Sequence, residues 1–362
     1  MQCCLQKGFA PNTDQVIWLV LDGDYSPILP IQQYLTHLLH VEKSPNTVET
    51  YARYLKVYWE WLYKQCLDWR NVNLEDLAEY IHWLRVGDIK NVISLQPVEA
   101  CRGEKTVNLA LTVVQMFYEF HHHKGTVGND CQFSRYSLPI GSNYTGFLNG
   151  IAKSKPGKRS LIRLKEPKEF PGCLTNEEIE LLIHGCQTRR NRLLLLMLQE
   201  TGMRKGELLG LRHEDISDGN QSTIKVTRRL NSNGALAKSG ARTIPINRKL
   251  LEFYDDYLVY EYPEVNSDYV FVNLEKGEIG KPLHYKALNQ LFDQLENKTG
   301  IKAYPHLFRH TYATRLLEAG MEIYRISELL GHRSIQTTIK TYGHITTKKI
   351  MSTVVEREEL ES

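Results

Sequence analysis

The sequence predicts a mainly α protein with a small antiparallel β-sheet, divided into a helical domain and a mixed α+β domain. Three observations carry this. Apolar residues recur at helical spacing through most of the chain. Two alternating segments, TIKVTRRL and ARTIPI, bracket the turn-forming stretch SNGALAKSG. Between the two halves, KSKPGKRSLIRLKEPKEFP breaks the periodicity with prolines, a glycine and a crowd of basic residues.

A chain of 362 residues is long enough for two cores. Its 42% hydrophobic and 24% charged residues are those of an ordinary globular protein, and its net charge is +3. Composition alone therefore announces no polyanionic partner, and local clusters of Lys and Arg have to decide. The seven cysteines are odd in number and scattered, with no CxxC pair, which points to free thiols in a reducing, cytosolic setting. No apolar run reaches the length of a membrane span. The opening MQCCLQKGFAPNTDQVIWLVL lacks the charged start and long apolar core of a signal peptide.

In chain order, residues 1–27 read as a small appendage in which QVIWLVL forms a strand and DGDYSP a turn. A helical domain follows over 28–152. LPIQQYLTHLLH places Ile31, Leu35, Leu38 and Leu39 on one face. SPNTVETYARYLKVYWEWLYKQ opens with Ser44 as cap and Pro45 in the first turn. Its stripe runs through Val48, Tyr51, Leu55, Tyr58 or Trp59, and Leu62, while Tyr54 and Lys56 lie where they could face a ligand. LEDLAEYIHWLR and TVNLALTVVQMFYEFHHH complete four helices. The three histidines ending the last point in different directions, which suits a solvated or polyanion-facing helix end better than a metal site.

Residues 153–171 are expected to be a basic linker. Lys153, Lys155, Lys158, Arg159, Arg163 and Lys165 are its candidates for DNA contact, because such a run gains affinity by releasing counterions from phosphates. The second domain, 172–362, opens with Thr175 and Glu178 spaced as a capping box. The two strands follow, DYVFVN near 268–273 is a candidate third strand, and helices continue into a charged tail.

The residues that carry chemistry lie in this second domain. Arg204 follows Thr201-Gly202 at a turn between helices. Lys238 sits on the hairpin. His306 and Arg309 share one face of a helix start, whereas His310 points elsewhere and reads as a buried structural residue. His332 follows Gly331 at a helix end, and Tyr342 lies ten residues further on. Breaking a phosphodiester without a metal needs cations on the non-bridging oxygens, a nucleophile that conserves the bond energy and an acid for the leaving oxygen. Two arginines, a lysine, two histidines and a tyrosine supply those parts. No HExxH, GxxxxGK[ST] or GxGxxG pattern occurs, so no metal and no cofactor is expected.

TGMRKGELLGLRHEDI, AKSGARTIPI, HLFRHTYATRLLEAG and LLGHRSIQTTIKTYGH, in that order over 174–348, resemble the motif boxes of the tyrosine recombinases, or phage-type integrases. More weakly, SPNTVETYARYLKVYWEWL resembles their helical core-binding domain. The resemblance implies a helical core-binding domain joined to a mixed α+β catalytic domain. It implies a site-specific recombinase that cuts and rejoins DNA for integration, excision or transposition. Tyr342 would form a 3′-phosphotyrosyl link, Arg204 and Arg309 would clamp the phosphate, and Lys238 would act as general acid. His306 would be its acid–base partner, His332 a phosphate donor and Glu207 a support for Arg204. Leu307 and Phe308 depart from the family's usual residues, which bears on helix packing more than on chemistry.

The resemblance further implies double-stranded DNA gripped between two domains, a homotetramer exchanging strands through a four-way junction, a tail docking on a neighbouring subunit, possible accessory proteins and a nucleoid-associated cytoplasmic place. Two rivals are a type IB topoisomerase, which shares the phosphotyrosine chemistry, and a DNA-binding regulator that kept the fold without the chemistry, against which the complete residue set argues.

Overall fold

The chain opens with an antiparallel strand pair, β1 (Cys4–Phe9) against β2 (Val16–Leu21), with Cys4 opposite Leu21 and Phe9 opposite Val16. The computed structural model describes residues 2–9, 16–87, 100–128, 131, 133–137, 157–167, 172–229, 231–275 and 278–343. These divide into two units, Met1–Lys168 and Glu169–Ser362. The Asp22 carboxylate secures the exit from β2 by accepting from the backbone N–H of Asp24 at 3.0 Å and Ser26 at 2.9 Å. The strand pair is less separate than expected, because Cys3 and Val20 are buried in the same core as Ile28 and Ile31.

That core belongs to four helices: α1 (Leu29–His40), α2 (Pro45–Lys64), α3 (Leu74–Val86) and α4 (Glu104–His123). Their starts follow the local chemistry. Ser44 accepts from Thr47 N–H, and Asn73 and Asp76 cap α3 reciprocally. α2 buries Val48, Ala52, Leu55, Tyr58, Trp61 and Leu62. His121 corrects one expectation: it is enclosed at the end of α4, where its ring nitrogens meet Thr126 Oγ1 at 2.9 Å and the Pro30 carbonyl at 3.1 Å.

The basic segment also differs from a free tether. β3 (Ser134–Ser137) pairs antiparallel with β4 (Gly157–Ser160), so the first unit is not purely helical and residues 157–160 of the segment belong to a sheet. Beyond β4 the chain lies along α4. Asn108 mimics a strand partner: its side chain accepts from Leu164 N–H at 2.9 Å and donates to the Leu164 carbonyl at 2.9 Å. Its amide also reaches Glu166 at 2.7 Å. Ile162 and Leu164 pack on the first core, while Arg163 and Lys165 between them are exposed.

The second unit starts at α5 (Asn176–Gly185), with the expected reciprocal cap between Thr175 and Glu178. α6 (Arg189–Thr201) and α7 (Lys205–Leu209) precede a three-stranded antiparallel sheet of β5 (Ile216–Ser217), β6 (Thr223–Val226) and β7 (Arg242–Pro245), with β6 central. The third strand is therefore β5. Residues 268–273 bury Val270, Phe271 and Val272 but make only isolated bridges, Tyr269 with Arg212 and Val272 with Pro282. α8 (Arg248–Tyr260), α9 (Tyr285–Thr299), α10 (Pro305–Glu318), α11 (Ile323–Leu330) and a helical stretch over 335–343 complete this unit. Leu194, Leu198, Leu208, Ile224, Ile244, Tyr257, Phe271 and Phe308 anchor its main core. A smaller cluster joins Ala313, Leu317, Ile326, Leu330 and Tyr342. The charged tail expected over 346–362 lies outside the described residues.

Candidate active site

Two arginines from distant elements meet on one carbonyl. Gly202 ends α6 in the left-handed conformation, and the chain turns so that Arg204 caps α7. The Arg204 backbone donates to Glu207 Oε2 at 2.9 Å, and its guanidinium donates to Glu207 Oε1 at 3.1 Å and to the Leu330 carbonyl at 3.1 Å. Arg309 projects from the second turn of α10 and is almost wholly buried. It donates to the Gly202 carbonyl at 2.8 Å and to the Leu330 carbonyl at 2.5 Å. Leu330 ends α11, where backbone carbonyls lack helical partners and carry the negative end of the helix dipole. The turn after α11 is thus a natural seat for both cations.

Glu207 ties this seat to the sheet. It is buried, accepts two hydrogen bonds from Arg242 at 2.7 and 3.1 Å, and accepts one from Ser239 Oγ at 2.5 Å. Burial pushes its carboxyl pKa up, but hydrogen bonds and charge from Arg242, with help from Ser239 and the Arg204 N–H, prevail and hold it at about 2. Arg309 is pulled down to about 9 by burial and then by Arg204, so it remains charged at neutral pH. Three guanidiniums therefore face one carboxylate, and the cluster keeps a positive excess.

The histidines are neutral counterparts. His332 follows the left-handed Gly331, donates its N–H to the Ser327 carbonyl at 3.0 Å and pairs Nδ1 with Thr338 Oγ1 at 2.7 Å. Burial first, then Arg309 and Arg204, lower its pKa to about 4. His306 keeps part of its ring exposed, yet partial desolvation and the charges of Arg309 and Arg204 lower its basicity too. Tyr342 is buried, and burial outweighs the pull of Arg309 to raise its phenol to about 12.

His310 is buried, as expected, but it does not point away from the candidates: it is the contact between two of them. Its ring centroid lies 5.1 Å from that of His306 and 5.2 Å from that of Tyr342. Arg242 is a second residue to which the sequence assigns no role, although its place in ARTIPI beside the Lys238 loop marks it as a neighbour of that lysine.

Lys238 stands apart. It is exposed on the loop between β6 and β7, without a hydrogen bond or ion pair to another described residue. Its neighbours Ala237 and Ser239 are buried, so the loop beneath it is fixed. Gly206 allows the close approach: a Cβ there would stand 2.7 Å from the Leu236 carbonyl oxygen. Of the basic-segment candidates, Lys153 and Lys155 lie outside the described residues, and Lys158 and Arg159 belong to β4. Arg163 is paired with Glu166 at 2.8 Å, and Lys165 is exposed.

Fixed cations around a carbonyl turn, neutral imidazoles and a shielded phenol are the equipment of a phosphoryl-transfer enzyme whose nucleophile is its own side chain. The profile of the Phage integrase family matches residues 173–349, and that of the phage integrase N-terminal SAM-like domain matches residues 31–125. Transposase A from transposon Tn554 of Staphylococcus aureus is 35% identical over 343 residues, 94% of each chain. Tyrosine recombinase XerA of Pyrococcus horikoshii is 26% identical over 92% of this chain and 94% of its own. Among solved structures, the Tn1549 transposon integrase in complex with circular intermediate DNA matches with a TM-score of 0.60 at 18% identity, over 86% of this chain and 94% of that one. XerH recombinase bound to its difH substrate matches with a TM-score of 0.58 at 20% identity, over 86% of this chain and 80% of that one. The chain belongs to the phage integrase family and is a tyrosine recombinase, an enzyme that transfers DNA strands in site-specific recombination.

Proposed function

We propose that this recombinase moves a mobile element, cutting double-stranded DNA at the element's ends and rejoining it through Tyr342. The support from similarity is the likeness to a transposase along nearly the whole chain. The observation that carries the chemistry is the meeting of Arg204 and Arg309 at the Leu330 carbonyl. A phosphodiester brings one negative charge and gains about one more as a fifth oxygen approaches phosphorus. The cluster has three guanidiniums and one carboxylate, so it matches that developing charge without a change of protonation.

In the proposed reaction, His306 takes the phenol proton. The Tyr342 oxygen bonds to phosphorus as the bond to the 5′ oxygen breaks, and Lys238 gives that oxygen its proton. His332 donates a hydrogen bond to a non-bridging oxygen. The reverse sequence, with a 5′ hydroxyl from the partner duplex, seals the exchanged strand. We further assign duplex contact to both units and to the strap bearing Arg163 and Lys165, and strand exchange to a tetramer on two DNA segments, working in the nucleoid with accessory proteins of the element.

A duplex nicked beside the cleavage position tests the nucleophile, because the short 5′ fragment diffuses away and traps the covalent adduct. Wild-type protein is expected to accumulate a protein–DNA band, and Tyr342→Phe none. A Tyr342→Phe protein that still forms the adduct ends this mechanism. Strand transfer between two labelled duplexes, rather than relaxation alone, separates recombinase action from that of a topoisomerase.

A further inference from the structure

Arg242 touches no reacting atom in the reaction just proposed and enters it only through its charge, yet it holds together the segments that bear the other groups. Its Nε donates to the Leu329 carbonyl at 2.7 Å, at the end of α11. Nη1 donates to Ser239 Oγ at 2.9 Å, on the loop next to Lys238. Nη1 and Nη2 grip Glu207, which also holds Arg204. Its side chain is 9% exposed, so these bonds form with little competition from water.

The neighbouring turn is shaped around this guanidinium. Gly331 has φ +61°, and a Cβ built on it would stand 2.8 Å from Arg242 Nη1 and 3.0 Å from Ser239 Cβ. The α11 turn, the lysine loop and Arg242 therefore approach so closely that a methyl group does not fit between them.

We infer that Arg242 is a positioning residue for leaving-group protonation: by bonding Ser239, Glu207 and Leu329 at once, it fixes the loop that carries Lys238 against the two-arginine seat. The inference rests on the proposed reading of the site. Lys238 is exposed and unpaired among described residues, so nothing on its own side chain sets its reach. The fixed point nearest to it in the chain is Ser239, bonded to Glu207 and Arg242. A planar fork with donors on three nitrogens suits this junction, and a lysine cannot reproduce it.

The test compares two nicked duplexes, one with the normal 5′ oxygen at the scissile bond and one with sulfur in its place. A thiolate leaves readily without a proton, so the sulfur substrate does not need the acid. Arg242→Lys is expected to slow adduct formation about 10- to 100-fold on the oxygen substrate, within the range a general acid contributes, and to be restored to near the wild-type rate on the sulfur substrate. Ser239→Ala, which leaves the arginine in place, is expected to show the same pattern more weakly and guards against misfolding of the first variant. Equal slowing of Arg242→Lys on both substrates, or wild-type rates on both, overturns the inference. Lys238→Ala run alongside reports separately on the acid. Should it slow both substrates equally, the assignment of Lys238 falls, whereas the Arg242 inference is read from its own oxygen-to-sulfur ratio.

Discussion

Glu207 is the residue on which the site's electrostatics turn, because it is the carboxylate bonded by both Arg204 and Arg242. Replacing it with Gln keeps the shape and removes the charge, leaving Arg242 buried without its counter-ion. Loss of one partner of a buried pair costs about 3–5 kcal/mol, so Glu207→Gln should lower the urea midpoint clearly and weaken adduct formation as well. The pH dependence follows from the same groups. Glu207 has a folded pKa near 2, below its ordinary value, so its contribution is present above the ordinary carboxylate range and is lost as pH falls towards 2. His310 and His332 are both held near 4 in the folded protein. Free imidazole titrates near about 6.5, so their contribution is complete above that value and is lost as pH falls towards 4. Stability in urea should therefore decline from mildly acidic pH downwards, and His332→Gln should flatten the upper part of that decline; a profile unchanged by the substitution would contradict the assignment. At this scale the sequence shows residue types set in recognisable boxes. It does not show Arg242, because an arginine in an alternating strand reads as an exposed one until a carboxylate from a distant helix is known to face it. It places His310 correctly as buried but does not show its contact with Tyr342, whose ring arrives from a later segment.

Secondary structure was legible where burial has a clear period. The helices of both units follow from apolar stripes and from caps such as Ser44 and Thr175. The failures have physical causes. Residues 268–273 are as apolar as a strand because they are buried, and burial alone does not supply a ladder partner. β5 spans two residues, Ile216–Ser217, too few to display alternation. The strap past β4 reads as a basic linker because its basic residues and prolines dominate the composition, while its docking rests on Asn108 of a distant helix and on the packing of Ile162 and Leu164. Asn108→Ala should expose that dependence. It removes a donor and an acceptor from one backbone unit, and a net loss of about 1–3 kcal/mol is expected, with faster amide exchange at Leu164. Unchanged exchange there would mean that Ile162 and Leu164 hold the strap by packing alone.

The whole molecule carries a net charge of only +3, so its grip on a polyanion has to come from local arrangement. The two units have separate hydrophobic cores, one built from the N-terminal strand pair and α1 to α4, the other from α5 to α10 and the sheet. Heating should therefore give two calorimetric transitions, because cooperativity belongs to a core rather than to a chain; one sharp transition with equal calorimetric and van't Hoff enthalpies would refute this. The proposed role of the strap has its own signature. Each phosphate contact contributes about 0.9 to the slope of log affinity against log salt. Substituting both Arg163 and Lys165 by Gln should reduce that slope by up to about 2, while leaving the adduct chemistry at saturating DNA unchanged; no change in slope would remove the strap from the interface.

The strap also has a parity. Ile162, Leu164 and Glu166 turn towards α4 and Arg163 and Lys165 turn away, one residue after another. Inserting one residue after Ser160 would exchange the two sides, driving the cations against the core and the apolar side chains into water. Inserting two would restore the sides and shift only the reach. Tolerance to insertion in this short stretch should thus alternate with odd and even length, a discrete rule in a segment whose composition looks like that of a flexible linker.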